Sequence, residues 1–165
     1  MKTVPRAVST PEAASRFARE VQTRGGTVVF TNGVFDLLHT GHVRYLQAAR
    51  ALGDVFIVAI NSDCSVQVIK GPERPLTPQG ERAEMLLGLA CVDAAVIFDE
   101  ETPHRIITLV QPDVLVKGAD WKAEAIVGRD VVEARGGRVV RIPLVEGQST
   151  STLIGAVRRI EQRRG

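Results

Sequence analysis

Two imidazoles three positions apart, His39 and His42, bracket Thr40 and Gly41 at the end of the run Thr31-Asn32-Gly33-Val34-Phe35-Asp36-Leu37-Leu38-His39-Thr40-Gly41-His42. The run follows an apolar β-branched stretch, Thr27-Val28-Val29-Phe30, and precedes an amphipathic stretch beginning at Val43. The pattern reads as a strand, a glycine turn and a helix start. A helix N-terminus leaves amide hydrogens unpaired and carries partial positive charge, so imidazoles on its first turn make a site suited to a polyphosphate. The P-loop and dinucleotide signatures, GxxxxGK[ST] and GxGxxG after the first strand, are both missing. Two blander readings stay open: a capped helix start, and a metal site at i, i+3 spacing that lacks a clear third ligand beyond Asp36.

Three other segments carry residues of phosphate chemistry. Lys70-Gly71-Pro72-Glu73-Arg74-Pro75-Leu76-Thr77-Pro78 joins a stiff glycine and proline loop to two cations, Lys70 and Arg74, that such a loop can hold over a bound phosphate. Val116-Lys117-Gly118-Ala119-Asp120-Trp121 places a cation and an acceptor beside a glycine that permits close approach, with Trp121 either a stacking platform or an apolar plug. Glu146-Gly147-Gln148-Ser149-Thr150-Ser151-Thr152-Leu153-Ile154 sets hydroxyls at the start of an apolar helix, where they cap it and where its free amides can bind phosphate.

The elements that must position these segments are set by periodicity. Apolar runs at 27 to 32, 54 to 60, 92 to 98, 113 to 117 and 138 to 142 are near-continuous, as expected of strands buried on both faces. Helical patterns lie between them, at 42 to 52, 78 to 90, 102 to 111, about 122 to 135, and 149 to 161. Thr10-Pro11 opens an earlier helix that Gly25-Gly26 ends, so residues 1 to 25 read as a helical extension packed on the domain. Strand alternating with helix predicts an α/β fold, a Rossmann-like three-layer α/β/α sandwich whose parallel sheet has about five strands. In such sheets ligands bind beyond the carboxyl ends of the strands, where the histidine turn, the 116 to 121 segment and the first strand's glycine all fall.

Composition narrows the function classes. A chain of 165 residues with 44% hydrophobic content predicts one domain with a continuous core. Lysine and arginine number 21 against 19 acidic residues, so nothing suggests a basic surface tracking nucleic acid. Arg158, Arg159, Arg163 and Arg164 form the one basic concentration and read as a solvated helix end. The start Met1-Lys2-Thr3-Val4-Pro5-Arg6 has no signal-peptide core and no later run reaches the ~20 apolar residues of a membrane span, so a cytoplasmic protein without a membrane partner is expected. Cys64 and Cys91 lack CxxC spacing and read as small apolar residues rather than a disulfide or zinc framework.

The segment from Gly33 to His42 resembles the signature of the HxGH nucleotidyltransferase superfamily, and with GxFD in front of HTGH it is similar to the cytidylyltransferase-like branch. The likeness continues through KGPERP followed by Glu81-Arg82, through KGADW, and through GQSTSTLI, which resembles the family's ISTT-type motif with Ser151 where a second threonine is common. It covers Val28 to Ile154 and is nearest to members that adenylylate sugar 1-phosphates, some fused to a sugar kinase; a chain of this length reads as the free-standing form.

That resemblance implies ATP with Mg²⁺ and a sugar 1-phosphate as reactants, pyrophosphate as product, and a homo-oligomer. It implies catalytic roles for His39, His42, Lys70 and Arg74. Thr31, Asn32, Gly33, Val34, Phe35, Asp36, Gly41, Ser149, Thr150 and Ser151 are expected at the nucleotide, and Lys117, Gly118, Asp120 and Trp121 at the substrate. No residue-held metal is expected. Another base or acceptor, such as CTP with glycerol 3-phosphate, and a nucleotide-binding module without catalysis are the alternatives.

Overall fold

The computed structural model describes residues 8–144 and 150–162. The expected apolar runs form β2 (Val28–Gly33), β3 (Val55–Asn61), β4 (Ala94–Phe98), β5 (Val114–Gly118) and β6 (Arg138–Ile142). A sixth strand, β1 (Val8–Ser9), pairs with β4 at the sheet edge; at two residues it is too short for a periodicity to reveal. All pairings are parallel and the order is β1-β4-β3-β2-β5-β6.

Helices cover both faces and divide the core in two. On one side α1 (Pro11–Thr23) and α5 (His104–Val110) pack Ala14, Ala18, Ile106, Ile107 and Val110 onto Val28, Phe30 and Leu115. On the other, α2 (Thr40–Arg50) and α4 (Gln79–Gly88) pack Leu46, Ala49, Ala83 and Leu86 onto Val29, Val58 and Ile60. The first helix thus contributes buried side chains to the core itself, Ala14 and Ala18 both being fully covered.

Two elements depart from the expected pattern. A helix α3 (Asp63–Lys70) follows β3, capped by the Ser62 hydroxyl, which accepts from the Ser65 amide at 3.2 Å. The span 122 to 135 is not one helix but a 3₁₀ turn, Ala123–Ala125, and α6 (Arg129–Glu133), broken at Gly128 with φ 85°. A Cβ there would lie 2.6 Å from Ile107 Cδ1, so only glycine lets this left-handed corner press against α5. The last described helix, α7 (Thr150–Gln162), starts at the rim of a cavity beyond the ends of β2 and β5.

A buried cation joins the elements around the end of β3. Arg82, on α4, has no solvent exposure. Its guanidinium donates to the carbonyls of Thr77 at 2.9 Å, Val34 at 2.6 Å and Asn61 at 2.8 Å, and to Asp63 Oδ1 at 2.7 Å. Removing the guanidinium takes the ion pair from Asp63, whose side chain is 34% exposed, and leaves three carbonyls without their partner beside a large void in the core. Arg82→Met is expected to lower unfolding free energy by about 3 kcal/mol or more, read from urea denaturation; a loss below about 1 kcal/mol would contradict this role.

Candidate active site

The strand order reverses between β2 and β5, and the register shows how a crevice opens there. β2 pairs with β3 along its full length, to Gly33↔Ile60, but with β5 only from Val29↔Val114 to Thr31↔Val116. Asn32 and Gly33 therefore leave β5, while Lys117 and Gly118 continue alongside β6. A cavity of about 550 Å³ occupies the opening, with Asn32, Gly33, Lys117 and Gly118 in its wall. Its position at the switch point, beyond the carboxyl ends of the strands, is where open α/β sheets place ligands.

Side chains replace the missing backbone bridge. Lys117 is only 7% exposed and its ammonium donates to Asn32 Oδ1 at 2.5 Å, with a longer contact of 3.4 Å to the Asn32 carbonyl. Burial pushes its pKa down to about 8, against the opposing charge of Asp120. The same ammonium stands 5.6 Å from the Trp121 ring centroid. Gly118 keeps room for Asp120: a Cβ there would come within 2.4 Å of Asp120 Oδ1. Beneath, the buried Thr31 hydroxyl donates to the Val116 carbonyl at 2.9 Å and so accepts from Tyr45 at 2.7 Å. Burial of the Tyr45 phenol, partly offset by that bond and reinforced by Asp120, pushes its pKa up to about 12. Thr31 thus acts below the cavity floor rather than on its surface, whereas Tyr45 is part of the lining.

The two histidines stand together at the start of α2. His39 occupies the N-cap position with φ −139° and ψ 170°, and its ring makes no capping bond. The imidazole centroids are 3.9 Å apart with planes 32° from parallel, and Phe35 packs against His42 at 5.4 Å. Phe35 adopts φ 49°, a left-handed conformation costly for a bulky residue, within the turn that delivers these rings. Both Nδ1 atoms are buried without a hydrogen-bond partner, the two such side-chain atoms among the described residues. Burial, then the neighbouring His39, pushes His42 down to about 4, and burial lowers His39. Neutral imidazoles with unmet polar atoms on a cavity wall are groups a polyphosphate would complete.

The 70 to 78 loop is fastened to the histidine turn by Asp36. Its carboxylate, 2% exposed as a residue, accepts from Arg74 Nε at 2.7 Å and from the amides of Leu76 at 2.9 Å and Thr77 at 2.9 Å. Burial opposes ionisation, yet those amides and the guanidinium hold the Asp36 carboxyl below its ordinary range. Arg74 and Asp36 consequently face each other and neither lines the cavity, while Lys70 does.

Among the remaining expected residues, Val34, Phe35, Gly41 and Thr150 are in the lining. The Thr150 hydroxyl donates to the Leu37 carbonyl at 3.4 Å. Ser151 is exposed outside the lining, and Ser149 lies outside the described residues. The lining also takes in Asn61, Ile69, Glu101, Thr102, Pro103, Val127 and Leu144, which sequence reasoning passed over. Strand-end position was the available signal: Asn61 closes β3, and Glu101 to Pro103 come directly after β4.

The histidine environment has a consequence for pH. In the unfolded chain His42 takes up a proton as pH falls through 6.5, whereas in the fold it does so only near 4. Protons therefore favour the unfolded chain across that window, and the stabilising contribution present above pH 6.5 is lost as pH falls toward 4. His42→Asn is expected to lose less stability than the unsubstituted protein between about pH 7 and about pH 5, measured by urea denaturation; equal losses would contradict the assigned environment.

Comparison with known proteins bears on the whole region. The cytidylyltransferase-like family model matches residues 30–154. The bifunctional protein HldE of Citrifermentans bemidjiense is 56% identical over 86% of this chain and 29% of its own length, and that of Geotalea uraniireducens is 52% identical over 89% and 30%. The chain thus spans about three tenths of the length of these curated relatives. A crystal structure of a lipopolysaccharide core biosynthesis protein from Thermoplasma volcanium aligns with a TM-score of 0.59 at 27% identity, covering 75% of this chain and all of that one. With a histidine pair at a helix start, a switch-point cavity and a family match across both, the chain belongs to the cytidylyltransferase-like family.

Proposed function

We propose that the chain is an adenylyltransferase that transfers AMP from ATP to D-glycero-β-D-manno-heptose 1-phosphate, giving ADP-heptose and pyrophosphate for the lipopolysaccharide inner core. The observation that carries the phosphate-transfer part is the pair of buried, unpartnered imidazole nitrogens on the first turn of α2, beside Lys70 and Lys117 on one cavity. The sugar and the base rest on the similarity of the segments FTNGVFDLLHTGH, KGPERPLTP, FDEETPHRII, KGADW and EGQSTSTLI to enzymes of that activity. The names of the relatives, a bifunctional HldE and a lipopolysaccharide core biosynthesis protein, agree with it.

In this reading an oxygen of the sugar phosphate attacks the α-phosphorus in line, the new P–O bond forms as the bond to the β-phosphate breaks, and pyrophosphate leaves. No enzyme nucleophile is required, so the protein contributes position and fixed positive potential. His39 and His42 bind the α- and β-phosphates, and Lys70 reaches the β,γ-phosphates. Arg74 positions that loop through Asp36 rather than touching phosphate. Asn32, Gly33, Val34, Phe35 and Gly41 let the nucleotide lie close to the turn, Thr150 and Ser151 start the helix beyond it, and Ser149 is assigned to the nucleotide with them. Gly118, Asp120 and Trp121, with Lys117, serve substrate or nucleoside.

Mg²⁺ fits this cavity as the counter-ion of ATP. Magnesium in such sites needs only one or two protein carboxylates besides phosphate oxygens, and Glu101 and Asp120 are the carboxylates on the wall. It would neutralise charge developing on the leaving pyrophosphate. Among the described residues no three His, Cys, Asp or Glu side chains gather to hold a metal by themselves. No helix of the described residues is long and apolar enough to cross a membrane. A cytoplasmic homo-oligomer completes the proposal.

Two measurements test it. Pyrophosphate release should appear with ATP and heptose 1-phosphate and be at least ~10-fold slower with CTP or with glycerol 3-phosphate. The reverse preference would replace the proposed substrates, and ATP binding without turnover on any phosphorylated acceptor would replace the enzyme by a binding module. His42→Ala should lower kcat by at least ~10²-fold, the usual cost of losing a preorganised electrostatic donor; near-normal turnover would sink the histidine assignment.

A further inference from the structure

The side chain of Asn61 is a buried amide whose orientation the surrounding hydrogen bonds settle. It closes β3 and is 5% exposed. Its Nδ2 donates to Ser65 Oγ at 2.9 Å, and the buried Ser65 hydroxyl donates onward to the Glu100 carbonyl at 2.9 Å. A hydroxyl has one proton, so Ser65 can only accept from Asn61, and turning the amide over would set two acceptor oxygens against each other. The Asn61 carbonyl is fixed as well, since it accepts from the Arg82 guanidinium at 2.8 Å.

Oδ1 is the end left over. Among the described residues it meets no donor, yet it is not occluded, the buried unpaired side-chain atoms there being the two imidazole nitrogens. Asn61 lines the cavity and is covered elsewhere, so the opening that reaches Oδ1 is the cavity itself.

The place of this oxygen separates it from the nucleotide's machinery. Phe30, Ala59 and Leu115 belong to the core under α1 and α5, so two-residue alternation puts Asn32, Asn61 and Lys117 on that same face of the sheet. α2, which carries the histidine pair, covers the opposite face. The strand order sets β2 between β3 and β5, so Trp121, the indole on the wall, stands after β5 while Asn61 stands beyond β2 from it. The wall beyond β3 and β4 is completed by Ile69, Glu101, Thr102 and Pro103, with Lys70, the residue after Ile69, as the cation at its border. An amide oxygen accepts only, and an ionised phosphate oxygen has no proton to give it. Hydroxyl groups do, and the apolar surfaces of Ile69 and Pro103 suit the C–H faces of a sugar.

We propose that Asn61 is a specificity-determining residue for the acceptor: its Oδ1 accepts a hydrogen bond from a hydroxyl of the sugar, and Ser65 is the positioning residue that keeps Oδ1 aimed at the cavity. The inference rests on the proposed transfer to heptose 1-phosphate. An acceptor that lacks the hydroxyl leaves a desolvated oxygen unpaired, and the site rejects it.

Steady-state kinetics with ATP and D-glycero-β-D-manno-heptose 1-phosphate, followed by pyrophosphate release, provides the test. Asn61→Ala should raise KM for the sugar phosphate by about 10-fold and Ser65→Ala by at least ~3-fold, with KM for ATP changed by less than ~2-fold in both. Ser65→Ala retains every atom of Asn61 and carries the test if Asn61→Ala does not fold. Among heptose 1-phosphates that each lack one hydroxyl, one should cost the unsubstituted protein at least ~10-fold in kcat/KM and cost Asn61→Ala less than ~2-fold, the coupling of two groups that touch. Unchanged KM for the sugar phosphate in both variants, a rise confined to KM for ATP, or equal deoxy penalties in the two proteins would overturn the inference alone. No pyrophosphate release by the unsubstituted protein with this acceptor would overturn the proposed function, and the inference with it.

Discussion

A guanidinium stripped of water must meet protein acceptors on each side, and Arg82 finds them in the backbone around the end of β3 and the turn after β2. Three of its four partners are carbonyls, of Thr77, Val34 and Asn61, and the fourth is Asp63 at the start of α3. These acceptors come from separate segments around the cavity, so the cost of burying one charge fixes their relative positions. Asp36 performs the complementary task with opposite charge, gathering Arg74 and the amides of Leu76 and Thr77. The histidine turn lies between the two: Val34 is held by Arg82 from one side and Asp36 holds the loop from the other. The rigidity of the candidate site thus originates in residues that do not line it.

That rigidity permits polar atoms at the site to go unpaired. A buried nitrogen without a partner costs roughly 1–3 kcal/mol, and here two lie on adjacent rings. An isolated helix start would relieve the cost by rotating the rings into water or letting a side chain cap the helix. The turn prevents this, with Phe35 held at φ 49° against His42 and the Val34 carbonyl engaged below. Because burial keeps both imidazoles neutral, like-charge repulsion between rings 3.9 Å apart is avoided. A polyphosphate supplies acceptors and negative charge together, which favours imidazole protonation where burial opposes it.

Much of this architecture was legible in the chain, and the gaps have physical causes. The five longer strands announce themselves because both faces of a central parallel sheet are buried, so nearly every position is apolar. The histidine turn was legible because glycine, imidazole and hydroxyl types at fixed spacing have few other uses. α3 was missed because it begins immediately after β3, with Ser62 as its cap and no glycine or proline to mark the change. The helix expected from 122 to 135 was overdrawn because Gly128 looks like a tolerated helix glycine until Ile107 is seen against it. Arg74 was legible as a loop cation but not as the partner of Asp36, which lies 38 positions away. Arg82 binds mostly carbonyls, and carbonyls leave no mark in a sequence.

The crevice itself raises a problem of a different kind, since separating two parallel strands exposes backbone groups that the sheet would otherwise pair. β2 solves it by keeping β3 as a partner through Gly33 while abandoning β5 after Thr31. The gap is then spanned by the buried ammonium of Lys117 on Asn32 Oδ1, and lower down by Thr31 on the Val116 carbonyl. A neutral side chain could bridge the same distance, but it would leave the cavity floor without positive potential. A lysine supplies bridge and potential at once, and the desolvation it suffers, visible in a pKa of about 8, is tempered by Asp120. Binding an anion would offset more of that cost. The residue that holds the crevice together is therefore stabilised further by the kind of ligand the crevice admits, and this couples the local stability of the switch point to occupation of the site.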